Sequence, residues 1–162
     1  MDLSDQPVAA LFAQYRAVLG ELKRLGAVRT ENAPAGDYAE FLVARAFHGR
    51  LASNSEKSWD VLSASDERLQ VKCRVVSDPI RSGQTQLSPF RSFEFDQAVI
   101  VLLSDVDYTV RRATRIPAAV VEEASKYREW VNGYVVHARD DLLGHAEAED
   151  VTEALGRAQR ES

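Results

Sequence analysis

An aspartate, an amide and a lysine fall close together in this chain: Asp60, nine intervening residues, then Gln70-Val71-Lys72, with Glu40 upstream in an otherwise apolar stretch. Asp60 stands beside Trp59, Val61 and Leu62, where a carboxylate is costly without a partner. Gln70 and Lys72 flank Val71, so in an extended segment they share one face. Two carboxylates, an amide oxygen and a lysine can therefore meet at one sheet edge. Such a set suits Mg²⁺, a hard cation that takes oxygen ligands from carboxylates, water and phosphate, with Mn²⁺ as a substitute. A cation held there acidifies a water and neutralises charge growing on phosphate. A neighbouring lysine orients that water and stabilises the pentacovalent phosphorus. The chemistry indicated is metal-assisted phosphodiester hydrolysis.

Each residue also has a plainer reading. Asp37-x-x-Glu40 has the form of a helix capping box, with Glu40 reaching back to the Asp37 amide. Asp60 could pair with Lys72 or Arg74 across a hairpin, and Gln70 and Lys72 could be a solvated strand face. Hairpin register separates these readings. A connecting loop with an odd number of residues puts Asp60 opposite Gln70, whereas a two-residue loop turns Asp60 away. Ser63-Ala64-Ser65-Asp66 lacks Asn-Gly and Asp-Gly, which points to a longer or bulged turn.

The elements that must hold these residues follow from periodicity. Val8, Leu11, Phe12, Tyr15, Val18, Leu19, Leu22 and Leu25 recur at three- and four-residue steps, giving a first helix with Pro7 in its first turn and Gly26 at its stop. Asn32-Ala33-Pro34-Ala35-Gly36 breaks the chain. A second helix is expected over 37–47, apolar nearly all round and so mostly buried. The period then changes to two, with strands at 59–62 and 68–76. In the second of these Leu69, Val71, Cys73 and Val75 face one side, and Arg68, Gln70, Lys72 and Arg74 the other. Residues 77–96 form a loop of a length that is usually functional or disordered. The apolar run 98–103 reads as a central buried strand, and 108–116 as an alternating one. Pro117 opens a helix reaching Tyr127, 133–138 is a last strand, and an acidic helical tail begins at Asp140. This order predicts an α/β fold with a mixed sheet of four or five strands.

Asp60, its spacing to Gln70-Val71-Lys72, and the helical Glu40 before them resemble the PD-(D/E)xK nuclease superfamily, in the Gln-x-Lys branches represented by Mrr-type restriction enzymes. Locally, Ala33-Pro34-Ala35-Gly36-Asp37-Tyr38-Ala39-Glu40, Asn54-Ser55 and Trp59-Asp60 resemble a family of small bacterial proteins of this kind. The likeness covers 32–116. It implies a restriction-endonuclease-like core, a central mixed β-sheet flanked by helices, in a single nuclease-like domain 1–162. Residues 1–31 then supply an N-terminal helix, 32–116 the core with the site, and 117–162 a C-terminal helix, strand and acidic tail. The resemblance further implies Asp60, Gln70 and Glu40 as ligands of Mg²⁺ and Lys72 as the catalytic lysine beside them. The implied activity is a DNA endonuclease of a restriction or defence system; a binding module that has lost cleavage is the alternative. Gln70 replaces the more usual acid, leaving one negative charge fewer, and Ser58-Trp59 stands where related sequences often have Gly and an aromatic.

Charge bounds the partners. With 162 residues, 20 Lys+Arg and 25 Asp+Glu, the chain carries −5, which argues against a protein that coats nucleic acid. The distribution is uneven: −1 over 1–39, +2 over 40–91 and −6 over 92–162. Residues 68–91 alone carry +4. Within that span Arg74, Arg81, Gln86 and Arg91 are the expected contacts to DNA phosphates and bases, a flexible surface loop being the alternative. Arg111, Arg112 and Arg115 extend the basic patch or face solvent.

Other chemistries find no footing. The lone Cys73 excludes an intrachain disulfide and a Cys-cluster zinc site, and reads as a small core residue. His48, His137 and His145 are isolated, and no Gly-rich phosphate loop or Gly-x-Ser-x-Gly elbow occurs. Trp59 and Trp130 are expected to pack in or over the core. The acidic start lacks the positive region of a signal peptide and no apolar run approaches bilayer length, so a cytoplasmic location with no membrane partner is expected. The stripe of the first helix offers a homodimer surface, ordinary packing being the alternative.

Overall fold

The continuous apolar run after Asp96 becomes the middle of the molecule. The computed structural model describes residues 1–6, 8–30 and 33–162, and the side chains of all of these except 8–13. Expectations placed on Pro7, on the side chains of Val8, Leu11 and Phe12, and on Asn32 lie outside the described residues. The elements begin with α1 (Val8–Arg24), α2 (Ala35–Ala46), β1 (Arg50–Leu51), β2 (Val61–Leu62) and β3 (Arg68–Val76). They continue through β4 (Gln97–Ser104), β5 (Val110–Pro117), α3 (Ala118–Ala124), β6 (Lys126–Arg128) and β7 (Gly133–Val135). The chain closes with α4 (Asp140–Leu143), β8 (Glu149–Asp150) and α5 (Thr152–Arg160).

One six-stranded sheet runs in the order β1-β2-β3-β4-β5-β8, and β6 with β7 makes a separate two-stranded ribbon. Only β3 and β4 are parallel; the other neighbours are antiparallel. The expected α/β mixed sheet flanked by helices is therefore present, with more strands than the four or five anticipated. The additional β1 and β8 are two residues long each, too short to show a period of two in sequence.

β4 is buried along both faces, and its alternation divides the core. Val99, Val101 and Leu103 meet Leu42 and Val43 of α2 and Leu155 of α5. Ala98, Ile100 and Leu102 meet Leu87, Phe90, Phe95, Val121 and Leu143 on the other side. Leu69 and Val71 of β3 belong to the α2 side, so Gln70 and Lys72 point to the opposite face. The acidic tail contains the expected helix, in α4 and α5, and packs on the core through Leu142, Leu143, Val151, Leu155 and Ala158, all buried.

Residues 77–96 are an ordered strap and not a free loop. Parallel strands need a long crossover, usually a helix; here the strap itself makes it. Gln84 Oε1 accepts from Ser77 N, Ser77 Oγ and Arg81 N at 3.1, 2.8 and 3.0 Å, closing its first turn. Farther on, Leu87 N donates to Val136 O (3.0 Å) and Phe90 N to Tyr134 O (2.9 Å), pinning the strap to the ribbon. The loop expected over 77–96 is present, and what fixes it is not local: the partners of Leu87 and Phe90 lie more than forty residues on.

Two helix ends matter for the site. α1 stops in a Schellman arrangement, with Ala27 N donating to Leu22 O and Gly26 N to Lys23 O, both at 3.0 Å, and Gly26 at φ 76°. Beyond α2, Gly49 lies so close to the hairpin that an added Cβ would overlap the Leu62 carbonyl oxygen, a backbone atom. Gly49→Ala is expected to cost about 1–3 kcal/mol by forcing β1 off β2, read as a lower midpoint in urea denaturation; an unchanged midpoint would contradict this packing.

Candidate metal and catalytic site

Asp60 lies one residue before β2, not inside a strand as its sequence context suggested. The pairs Val61↔Leu69 and Leu62↔Arg68, continued by one step, bring Asp60 opposite Gln70. The loop between the strands, residues 63–67, is odd in number, so the register condition is met. Ser63 shapes that loop: its N donates to Glu67 O (2.9 Å), and its Oγ accepts from Glu67 N (3.1 Å).

Because β2 ends after two residues, the Val71 amide has no strand partner on that side. Asp60 Oδ2 takes its place, accepting from Val71 N at 2.7 Å and from Gln70 Nε2 at 2.6 Å. The Asp60 main chain is also fixed, its N donating to Leu69 O and its O accepting from Ala52 N, both at 2.8 Å. Lys72 shares the Gln70 face. Its Nζ donates to Pro89 O (3.0 Å) and lies 4.8 Å from the centre of the Phe90 ring. Among the described residues neither Lys72 nor Arg74 forms an ion pair with Asp60; Arg74 Nη2 donates to Gly83 O at 3.0 Å.

Glu40 comes from α2, which packs on the other face of the sheet, and its carboxyl feels the charges of Asp60 and Lys72. The helix starts at Ala35 after Pro34, so Asp37 sits inside the first turn and is not its cap. Its Oδ2 instead accepts from Arg29 N (2.9 Å), Thr30 N (2.8 Å) and Thr30 Oγ1 (3.0 Å). The capping-box reading of Glu40 therefore does not hold.

Burial and mutual repulsion shape the titration of these groups. Desolvation first, then the charges of Asp60 and Asp37, push the Glu40 carboxyl up to about 7, against the opposing pull of Arg29 and Lys72. Burial also raises Asp60, although the Val71 amide, Lys72, Arg29 and Gln70 favour its ionised form. Lys72 is lowered by burial, partly offset by Asp60 and Glu40 and reinforced by Arg91. Sequence reading missed Arg29, which follows α1 and acts on both carboxylates; its guanidinium also donates to Ala52 O. Nothing in its local sequence marks it, since the relation crosses more than thirty positions to Asp60.

The donor set fits a hard cation. Two partly buried carboxylates in electrostatic contact are relieved by positive charge, and both offer oxygen. Gln70 turns its NH₂ to Asp60, so ligation through its oxygen needs the amide turned over. No group of three or more His, Cys, Asp or Glu gathers among the described residues.

Glu40 yields a pH prediction. Its folded pKa lies above the ordinary 4.5, so its ionisation opposes folding. The penalty is absent below pH 4.5, grows as pH rises, and is complete above about 7. Glu40 remains partly open to solvent, and screening reduces the effect to about 1–2 kcal/mol. Glu40→Gln in chelator is expected to raise the unfolding midpoint at pH 8 and leave it nearly unchanged at pH 4. An equal gain at both pH values would show that packing, not charge, is responsible.

The expected substrate residues occupy different places. Arg91 Nη1 donates to the carbonyls of Val131 and Asn132, linking strap to ribbon near Lys72. Arg74 braces the strap, Arg81 is exposed on it, and Gln86 lines a cavity against the ribbon. The C-terminal arginines do not extend a free basic patch: Arg111 pairs with Asp78 (2.8 Å), Arg112 with Asp140 (2.8 Å), and Arg115 with Glu149 (2.6 Å) and Glu67 (3.2 Å). Cys73 is held up to about 12 by burial, as a core thiol would be. Trp130 contradicts its expected place in the core, being 76% exposed.

The chain matches no protein-family model and no curated protein in sequence. No helix among the described residues is long and apolar enough to cross a membrane.

Proposed function

We propose that this chain is a Mg²⁺-dependent DNA endonuclease, hydrolysing phosphodiester bonds on a restriction-endonuclease-like, PD-(D/E)xK core. One observation carries the reading: Asp60 faces Gln70 across the β2–β3 hairpin, with Lys72 on the Gln70 face and Glu40 in electrostatic reach of both charges. Asp60, Glu40 and, after turning its amide, Gln70 would hold the cation, which supplies neutralisation of phosphate charge and a lower pKa for water. Lys72 is fixed by Pro89 O and the Phe90 ring, so its ammonium stands ready to orient a water and shield phosphate oxygens. Glu40 would ligate that cation directly or through a water, its repulsion with Asp60 relieved by the positive charge. Arg81 and Arg91 are assigned to DNA phosphates, with Arg74 and Gln86 beside them. Cutting both strands calls for two centres, and the exposed Tyr15, Val18 and Leu25 around α1 are the surface offered to a second copy. A role in restriction or defence, inside the cell, accords with this activity.

A second reading rests on the hydrogen bonds of Asp60. Its Oδ2 is already engaged by Val71 N and Gln70 Nε2, which suits a carboxylate that terminates a hairpin in a nucleic-acid or protein binding module without cleavage. Incubating supercoiled plasmid with the protein and Mg²⁺ or Mn²⁺ separates the two. Nicking that disappears with chelator and in Asp60→Asn supports the nuclease. Retained DNA retardation without nicking supports the binding module.

A further inference from the structure

The ribbon carries a second charged feature, away from Asp60. Beneath β6 and β7 lies a cavity of about 450 Å³, walled by Lys126, Arg128, Trp130, His137 and Arg139 with Gln86 of the strap. Its one acidic lining residue is Asp141, whose Oδ1 accepts from the Leu142 amide at 2.9 Å. Among the described residues Lys126, Arg128, Arg139 and Arg157 of the acidic third make no ion pair, whereas Arg111, Arg112, Arg115 and Arg160 do, and three of the four unpaired cations line this cavity. Three cations thus stand unneutralised around one concavity in the part of the chain with the greatest acidic excess. His137 registers their field: burial first, then Arg139 and Lys126, hold it below the usual histidine range. Thr85 Oγ1 lies 3.0 Å from its Nδ1 and steadies the ring.

Beside these cations Trp130 projects an exposed indole, with the Arg128 guanidinium 5.4 Å from its ring centre. An open aromatic face next to unpaired cations is the arrangement that takes a base by stacking and its phosphate by charge. We infer that this ribbon cavity binds a nucleotide unit, its base stacked on Trp130 and its phosphate held by Lys126 and Arg139. The unit comes either from a single strand or from a free nucleotide. The site does not depend on whether Asp60 and Lys72 cleave DNA. The strap nevertheless joins the two places. Gln86 bridges to His137, and Phe90, which lies under Lys72, bridges to Tyr134.

The test is fluorescence anisotropy of a labelled dT15 oligonucleotide at low salt in chelator, with dTMP and inorganic phosphate as competitors. Trp130→Ala is expected to weaken binding about 5- to 100-fold, the size of one lost base stack. Lys126→Ala with Arg139→Ala is expected to weaken it at least about tenfold and to flatten the salt dependence. The ion-paired control Arg160→Ala should bind as wild type does. Displacement by dTMP at concentrations near the dT15 affinity assigns a free nucleotide, and much weaker displacement assigns a strand; either supports the cavity. Competition by inorganic phosphate equal to that of dTMP would remove the base contact and overturn the proposal. Absence of binding, or equal losses in Arg160→Ala and the ribbon variants, would overturn it as well.

Discussion

Lys72→Met is expected to lower Mg²⁺-dependent plasmid cleavage by roughly 10²–10⁴-fold while the protein stays folded. Methionine keeps an unbranched stem against Phe90 and removes only the ammonium that donates to Pro89 O. The charge lost is the one placed on the Gln70 face beside two carboxylates, where phosphate would bring further negative charge. Alanine is a poorer probe, because truncating a mostly buried lysine also opens a cavity. Nicking rates over a range of enzyme concentrations, with thermal unfolding of the same samples, measure both halves of this expectation. Cleavage within about threefold of wild type, with unfolding unchanged, would remove Lys72 from the chemistry.

Phe90→Ala is expected to cost about 3–5 kcal/mol of stability, the largest single loss among the residues named here. Phe90 is 1% exposed, and its ring lies 5.8 Å from those of both Phe93 and Phe95. It also carries the strap's bridge to Tyr134 and the underside of Lys72. Removing the ring therefore opens the second core and loosens the support of the candidate lysine together. Phe90→Leu keeps most of the volume and should avoid more than half of that loss. Urea denaturation of both variants reads the difference. A cost below about 1 kcal/mol for alanine would mean that the strap is not part of the core.

The elements legible in the sequence were those whose evidence is local. Alternation along β3 marked Gln70 and Lys72 as one face, and the unbroken apolar run marked β4 as central. Gly26 announced the end of α1, because a positive φ favours glycine whatever surrounds it. Register at the hairpin was legible only as a condition. An odd loop would join Asp60 to Gln70, and the Ser63 and Glu67 bonds supply that loop.

Other features depended on partners distant in the chain. The capping-box pattern at Asp37 misled, since the helix starts earlier, at Ala35, and the Asp37 carboxylate accepts from Arg29 and Thr30 instead. The strap looked like a loop because Leu87, Phe90 and Phe95 follow no regular period, and their burial comes from Val136, Tyr134 and β4. The three ribbon cations were hidden by averaging, spread through a segment whose net charge is −6.

The sequence by itself determined the chemistry on offer: oxygen donors and a lysine at a spacing that one hairpin can gather, with basic charge concentrated around them. Tertiary structure alone decided which charges are spent and which remain. Arg111, Arg112 and Arg115 are neutralised by acids brought from elsewhere in the chain, while Lys126, Arg128 and Arg139, without an ion pair among the described residues, line a cavity. The same holds for Glu40, whose proton affinity comes from burial and from Asp60 across the fold. Desolvation and Coulomb energy depend on distance through space. A linear order of residues carries that distance only where the partners are neighbours in the chain.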